Sequence, residues 1–122
     1  MSQYQPSINE LLLTVQRFVD ESGGALSGEA RYHALCASYV LGICERELRL
    51  RPGYDVEEQA QLARFLRLPG PREELRDRLC REIRDGVHDA VWDSLLDMLL
   101  ALSANDVRIV KPEHLAPEHR SP

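Results

Sequence analysis

Residues 29–50 read Glu29-Ala30-Arg31-Tyr32-His33-Ala34-Leu35-Cys36-Ala37-Ser38-Tyr39-Val40-Leu41-Gly42-Ile43-Cys44-Glu45-Arg46-Glu47-Leu48-Arg49-Leu50. Tyr32, Leu35, Cys36, Tyr39, Val40, Ile43 and Leu48 recur three and four apart, the period of an α-helical face. Ala34, Ala37, Ser38 and Gly42 lie among them, and small side chains let a second helix approach closely. The stretch therefore predicts a long helix at the centre of an all-α bundle. Arg51-Pro52-Gly53 follows and is expected to end it, because proline has no backbone donor and clashes with the preceding turn.

Working outward, Ser7 and Glu10 form a capping-box pattern for a first helix running from about Ile8 to Glu21. Ile8, Leu11, Leu12, Val15, Phe18 and Val19 give it one apolar face. Gly23-Gly24 and Gly28 punctuate the connection that follows. Beyond Pro52, a third helix is expected from Val56 to Arg67, capped by Asp55 and Glu58, with Leu62, Phe65 and Leu66 as core candidates. Pro71 fits the first position of a fourth helix carrying Leu75, Leu79, Cys80 and Ile83, and Gly86 reads as its stop. A last helix from about Asp89 carries Val91, Trp92, Leu95, Leu96, Leu99, Leu100 and Leu102. It is expected to run on through Val107 and Ile109 until Lys111-Pro112 stops it. Its apolar residues fall on most faces, so it joins the second helix as a central element. These elements predict one helical domain over residues 1–122, a bundle of about five helices. Its core lies between about 7 and 110, and a polar tail over 111–122 is mobile or clasped to the surface.

Composition narrows the function classes. The 122 residues are 43% hydrophobic and 29% charged, a globular balance. The net charge is −5, and the arginines interleave with acids, as in Arg72-Glu73-Glu74-Leu75-Arg76-Asp77-Arg78. That arrangement makes ion-paired solvated faces instead of a basic patch and argues against nucleic acid as a partner. Cys36, Cys44 and Cys80 are odd in number, and two of them sit in apolar helical patterns. They read as packed free thiols in a reducing compartment. The opening Met-Ser-Gln-Tyr-Gln-Pro lacks the basic start and apolar run of a secretory signal, and no apolar stretch reaches membrane-span length. The expected location is the cytoplasm, with no membrane association.

Two constellations could carry chemistry. Glu29, His33 and Cys36 follow one another at i, i+4 and i+7, placing a carboxylate, an imidazole and a thiol on one stripe that a divalent metal accepts. The alternative is a hydrogen-bonded His33 beside a core Cys36. Asp85, Asp89, Asp93 and Asp97 are spaced by four, with His88 beside them. Gly86 divides the series, so Asp89 also reads as an N-cap and Asp93 as a first-turn acid. The remaining acidic patch of Asp89, Asp93 and Asp97 near Trp92 suits a basic partner. No phosphate-binding loop, His-Glu-x-x-His, Cys-x-x-Cys or nucleophile elbow occurs, so the chain shows no catalytic signature and calls for no cofactor.

The aromatic-His pair Tyr32-His33, the run Arg46-Glu47-Leu48 and the ending Lys111-Pro112-Glu113-His114-Leu115 resemble a bacterial all-helical family of unknown function. Members are encoded beside, or fused to, aminoglycoside-phosphotransferase-like kinases, with acyl-CoA dehydrogenases as frequent neighbours. The resemblance runs from about Pro6 to Leu115; Leu35 and Tyr39 stand where the family pattern carries Arg and Asn. It implies a non-catalytic accessory or interaction module, companion to a phosphotransferase-like enzyme in acyl-CoA or related catabolism. Tyr32, His33, Arg46 and Glu47 are its candidate polar contact surface, or else an internal brace between helices. Three further readings stand beside it. They are a helical bundle binding an acyl- or CoA-like ligand, a metal-dependent enzyme, and a structural homodimer joined through the last helix.

Overall fold

The computed structural model describes residues 6–120. Among them are four α-helices: α1 (Ile8–Gly23), α2 (Gly28–Leu66), α3 (Arg72–Arg84) and α4 (Trp92–Val110). Three short 3-10 turns occupy Asp89–Val91, Pro112–His114 and Pro117–His119, and no described residue is in a strand. The all-α expectation holds, but the helix count is four instead of five. The expected second and third helices are one continuous 39-residue helix that passes through Pro52. Ending a helix and starting another leaves up to about four carbonyls and four amides unsatisfied, whereas an internal proline removes one donor at a cost of about 3 kcal/mol. Asp55 and Glu58 accordingly do not cap a helix start. Both face Arg72, at 3.8 and 3.5 Å, and Glu58 also meets Arg76 at 2.9 Å.

The chain forms two compact units, Met1–Leu50 and Arg51–Pro122, whose boundary falls within α2 beside Pro52. The first is a helical hairpin. The capping box starts α1 as expected: Glu10 N–H donates to Ser7 Oγ and Ser7 N–H to Glu10 Oε2. Small and polar groups, with the half-buried Leu12, Val19 and Leu41, make the seam between α1 and α2. Asn9 Nδ2 donates to the Glu45 carbonyl at 3.0 Å, and Gln16 Nε2 to the Ser38 carbonyl at 3.0 Å. A Cβ at Gly23 would sit 3.2 Å from that of Ala34, and one at Gly42 only 3.1 Å from Gln16 Nε2. Ala34, Ser38 and Gly42 thus allow close approach, as their sizes suggested. The expected apolar face of α1 divides: Leu12 and Val19, each three residues beyond a seam residue, are half-buried, whereas Ile8, Leu11, Val15 and Phe18 are exposed.

The second unit holds the conventional core. Leu62 of α2, Leu75 and Leu79 of α3, and Leu95 and Met98 of α4 form one buried cluster, with Phe65, Ile83, Leu99 and Leu102 packed against it. Each helix end here has an identifiable stop. Arg67 takes a left-handed φ of 58° and Leu68 N–H returns to the Ala63 carbonyl, closing α2 with a Schellman-type turn. Gly86 (φ 77°) does the same for α3, with Val87 N–H bonded to Glu82 O and Gly86 N–H to Ile83 O. Pro71 stands one position earlier than expected, as the N-cap of α3. Lys111-Pro112 ends α4, and the following segment is tied down: Leu115 is buried, Arg108 Nη2 donates to His119 O, and Arg120 Nε donates to Leu115 O.

Candidate functional site

The fully buried positions of the hairpin are Gly23, Gly42 and Glu45; Leu12, Val19, Leu41 and Ile43 are half-buried, and the other large apolar residues of α1 and of α2 up to Leu48 are exposed. On α1, Asn9, Gln16 and Gly23 recur every seven residues and define the side turned to α2. Ile8, Leu11, Val15 and Phe18 form a second stripe roughly a third of a turn away. On α2 the seam comprises Ala34, Ser38, Gly42 and Glu45. In an antiparallel helix pair, the stripe of Ala37, Val40, Cys44 and Leu48 flanks the same side of the seam as the α1 stripe. His33 and Glu47 fall on this α2 stripe as well, four residues before Ala37 and three after Cys44, so the two stripes make a mostly apolar face with a polar group towards each end. Phe18 is 68% exposed and Val40 54%.

A second stripe on α2 points away from this face. Tyr32, Leu35 and Tyr39 follow at i, i+3 and i+7 and are exposed, with Arg46 one further heptad along. A third lies on α4 of the second unit, where Trp92, Leu96 and Leu100 are exposed beside Asp93 and Asp97.

The candidates from the sequence separate into these surfaces. Tyr32 and His33 stack as tilted rings, 6.0 Å between centroids, and His33 Nε2 lies 3.8 Å from Glu29. Hydrogen bonding to Cys36, one turn on, raises the Tyr32 hydroxyl above its ordinary pKa, with the charge of Cys36 acting in the same direction. Arg46 and Glu47 lie fourteen residues beyond Tyr32 and His33, about 21 Å along a helix at 1.5 Å per residue. The two pairs therefore occupy separate stretches of α2.

Among the described residues no three His, Cys, Asp or Glu side chains form a group that could hold a metal ion. All three cysteines are free and exposed, which corrects the expectation that they pack in the core. Cys36, Cys44 and Cys80 occupy outward positions because α1 approaches α2 along its small-residue side, and α3 turns its leucines inward. Asp89 does not cap α4; it begins the 3-10 turn, and Val91 stands at the N-cap without a side-chain bond. Asp89, Asp93 and Asp97 are all exposed.

The second unit also contains a cleft of about 250 Å³. Leu62, Leu79, Leu99 and Leu102 line it with Arg51, Arg72 and Arg76. Those guanidinium groups have acidic neighbours: Arg51 bonds Asp106 at 2.9 Å, and Arg72 and Arg76 meet Glu58. Elsewhere in the unit, the His88 ring packs against Phe65 at 4.9 Å and its Nε2 faces Glu82 Oε2 at 3.6 Å. Both of those atoms are buried and make no hydrogen bond.

The geometry defines a class: an all-α chain with one conventionally packed unit and one hairpin that presents most of its large apolar side chains outward. The chain belongs to the family described as a domain of unknown function, DUF6285, whose model matches residues 24–114. The match runs from just after α1 to the Pro112–His114 turn. No curated protein and no solved structure matches the chain. No helix among the described residues is long and apolar enough to cross a membrane.

Proposed function

We propose that this chain is a non-catalytic interaction module, and that its partner is a phosphotransferase-like enzyme working in acyl-CoA or related catabolism. One observation carries the docking role: the hairpin fully buries only two glycines and a glutamate, while Leu11, Val15, Phe18, Tyr32, Leu35, Tyr39 and Val40 are exposed. Exposed apolar surface of that extent marks an interaction site. The partner's identity is supported by the resemblance of the Tyr32-His33, Arg46-Glu47-Leu48 and Lys111–Leu115 motifs. Within the hairpin, the stripe of Tyr32, Leu35 and Tyr39 leading to Arg46 has the composition of a heteromeric contact, since tyrosine and arginine are enriched at such interfaces and dominate their energetics. His33 and Glu47 lie on the other stripe of α2, in line with Ala37, Val40 and Cys44.

Affinity purification of the full chain at native expression tests this reading. It predicts stoichiometric recovery of a phosphotransferase-like enzyme, lost with the Tyr32→Asp, Leu35→Asp double variant and retained with Cys80→Ser. Recovery of the chain without that enzyme contradicts the partner assignment.

A second reading rests on the cleft between Leu62, Leu79, Leu99 and Leu102, whose apolar floor and charged rim suit a small amphipathic ligand. A thermal-shift screen of acyl and CoA-like compounds checks it. A saturable rise in unfolding temperature that disappears in Leu99→Trp supports the ligand reading, and no shift with any compound opposes it.

A further inference from the structure

We infer that the cleft between the C-terminal half of α4, the part of α2 around Tyr54 and Glu57, and the Pro117–His119 turn is a binding site for a small zwitterion, an α-amino acid with an uncharged side chain. The cleft holds about 560 Å³, within the range of small-molecule sites, and lies entirely in the second unit. At its centre is Asn105, 5% exposed and one of the two buried polar side chains among the described residues. Asn105 Nδ2 donates to Glu57 Oε2 at 3.1 Å, and its Oδ1 accepts from Arg108 Nη1 at 2.6 Å. One buried carboxamide thus holds a carboxylate and a guanidinium side by side on the cleft wall, each bonded to the amide.

Charge sets the class of ligand. The half-buried arginines of the second unit are Arg51, Arg72 and Arg108. Arg51 meets Asp106 at 2.9 Å and Arg72 meets Glu58 at 3.5 Å. Arg108 bonds instead to neutral oxygens, those of the Asn105 amide and the His119 main chain. A guanidinium drawn partly out of water takes up a carboxylate, whose two oxygens match its fork. Arg120, also on the cleft, is likewise held by main-chain carbonyls, those of Leu115 and Glu113. Glu57 and Glu118 line the same cleft and decide against a phosphate, whose second negative charge they would repel. Glu57 suits a cationic donor next to the ligand's carboxylate. The two protein charges stand at opposite ends of one carboxamide, which matches a ligand whose ammonium and carboxylate share a single carbon. Ala101 and Ala104 line the cleft with Tyr54, so the remaining space fits an uncharged side chain. The site lies outside the hairpin and does not rest on the interaction-module reading.

Isothermal titration of the purified full chain with L-alanine, L-leucine and L-phenylalanine tests the inference. The expected result is saturable binding of at least one of them, at micromolar to millimolar concentration. The matching acid without its ammonium (propionate, isocaproate or hydrocinnamate) should bind roughly tenfold or more weakly, and so should the matching amino-acid amide, which lacks the carboxylate. Glu57→Gln keeps an acceptor for Asn105 and removes the charge. It should weaken the amino acid by about tenfold and leave the ammonium-free acid unchanged or tighter. Arg108→Gln should abolish binding of both, while Arg64→Gln, exposed on α2 outside the cleft, should change neither. Failure of all three amino acids to bind saturably overturns the inference. So does an ammonium-free acid that binds as tightly as its amino acid, and so does binding retained in a folded Arg108→Gln chain. The wild-type comparison of amino acid, acid and amide decides the matter even where a variant fails to fold. Each of these failures leaves docking through the hairpin standing.

Discussion

Asn9 reaches across the hairpin and donates its Nδ2 to the main-chain carbonyl of Glu45 at 3.0 Å. The same amide lies 3.5 Å from the Glu45 carboxylate, which accepts from Arg49 Nε at 2.8 Å. A polar tether of this kind holds two helices that share little buried hydrocarbon. Asn9→Ala should therefore destabilise the first unit by about 1 kcal/mol, the net worth of a side-chain hydrogen bond. Urea denaturation followed by circular dichroism measures it; an unchanged midpoint would show that the tether contributes nothing.

Close approach at the hairpin's closed end makes a prediction about sign. Helix propensity alone favours Gly→Ala by up to about 1 kcal/mol. At Gly23 the new methyl would meet the Ala34 Cβ at 3.2 Å, and neither group can swing aside. Gly23→Ala is expected to cost about 1 kcal/mol through that overpacking. Its neighbour Gly24 has an ordinary helical φ of −63° and room for a methyl, so Gly24→Ala should be neutral or stabilising by about 0.5 kcal/mol. The pair of denaturation midpoints decides whether the helices touch here.

Arg67 supplies the left-handed turn that ends α2, with φ at 58°. That conformation costs a residue with a Cβ about 1–2 kcal/mol relative to glycine. Arg67→Gly should raise the unfolding free energy by about 1 kcal/mol, after the glycine's greater unfolded-state entropy is offset. A lowered midpoint would mean that the arginine side chain contributes more than its backbone strain costs.

Tyr32 should titrate above the ordinary tyrosine range, because hydrogen bonding to Cys36 favours the protonated hydroxyl. Absorbance titration of the phenolate in wild type and Cys36→Ala isolates the effect. The Cys36→Ala chain is expected to return the residue towards its usual value, and identical titrations would remove Cys36 as the cause.

In the second unit, Leu95 is fully buried at the centre of the core cluster. Leu95→Ala should cost about 3 kcal/mol, the combined loss of transfer energy and cavity formation. Phe18→Ala, a larger truncation at an exposed site, should leave the stability of the monomeric chain nearly unchanged. The contrast, measured at low protein concentration, separates residues that hold the fold from residues that serve the surface.

Much of this architecture was legible in the sequence where one residue type has one physical use. Ser7 and Glu10 announce a capped start, Gly86 a left-handed stop, Lys111-Pro112 an end, and Ala34, Ser38 and Gly42 a close helix approach. Two features were not legible. Pro52-Gly53 looks like a break, yet the helix continues, because the cost of one missing donor competes with the cost of two new helix ends, and local sequence does not weigh them. The apolar stripe of α1 looks like a core face, yet only its Leu12 and Val19 are half-buried, because periodicity reports amphipathicity and not how much of a face is covered. The signal for the real seam was the seven-residue spacing of Asn9, Gln16 and Gly23 opposite small residues of α2. The candidate pairs Tyr32-His33 and Arg46-Glu47 appeared together as motifs, but a rigid helix holds them far apart.

The measurement that bears most directly on the central claim is the size of the native assembly, read by sedimenting the tagged chain in fresh extract of the cells that express it at native level. The account predicts that the chain sediments in an assembly well above its own 13.9 kDa, and that combined Phe18→Asp and Leu35→Asp substitution releases it as a folded single chain. A wild-type chain that sediments alone, as one copy with its hairpin face open to water, would contradict it.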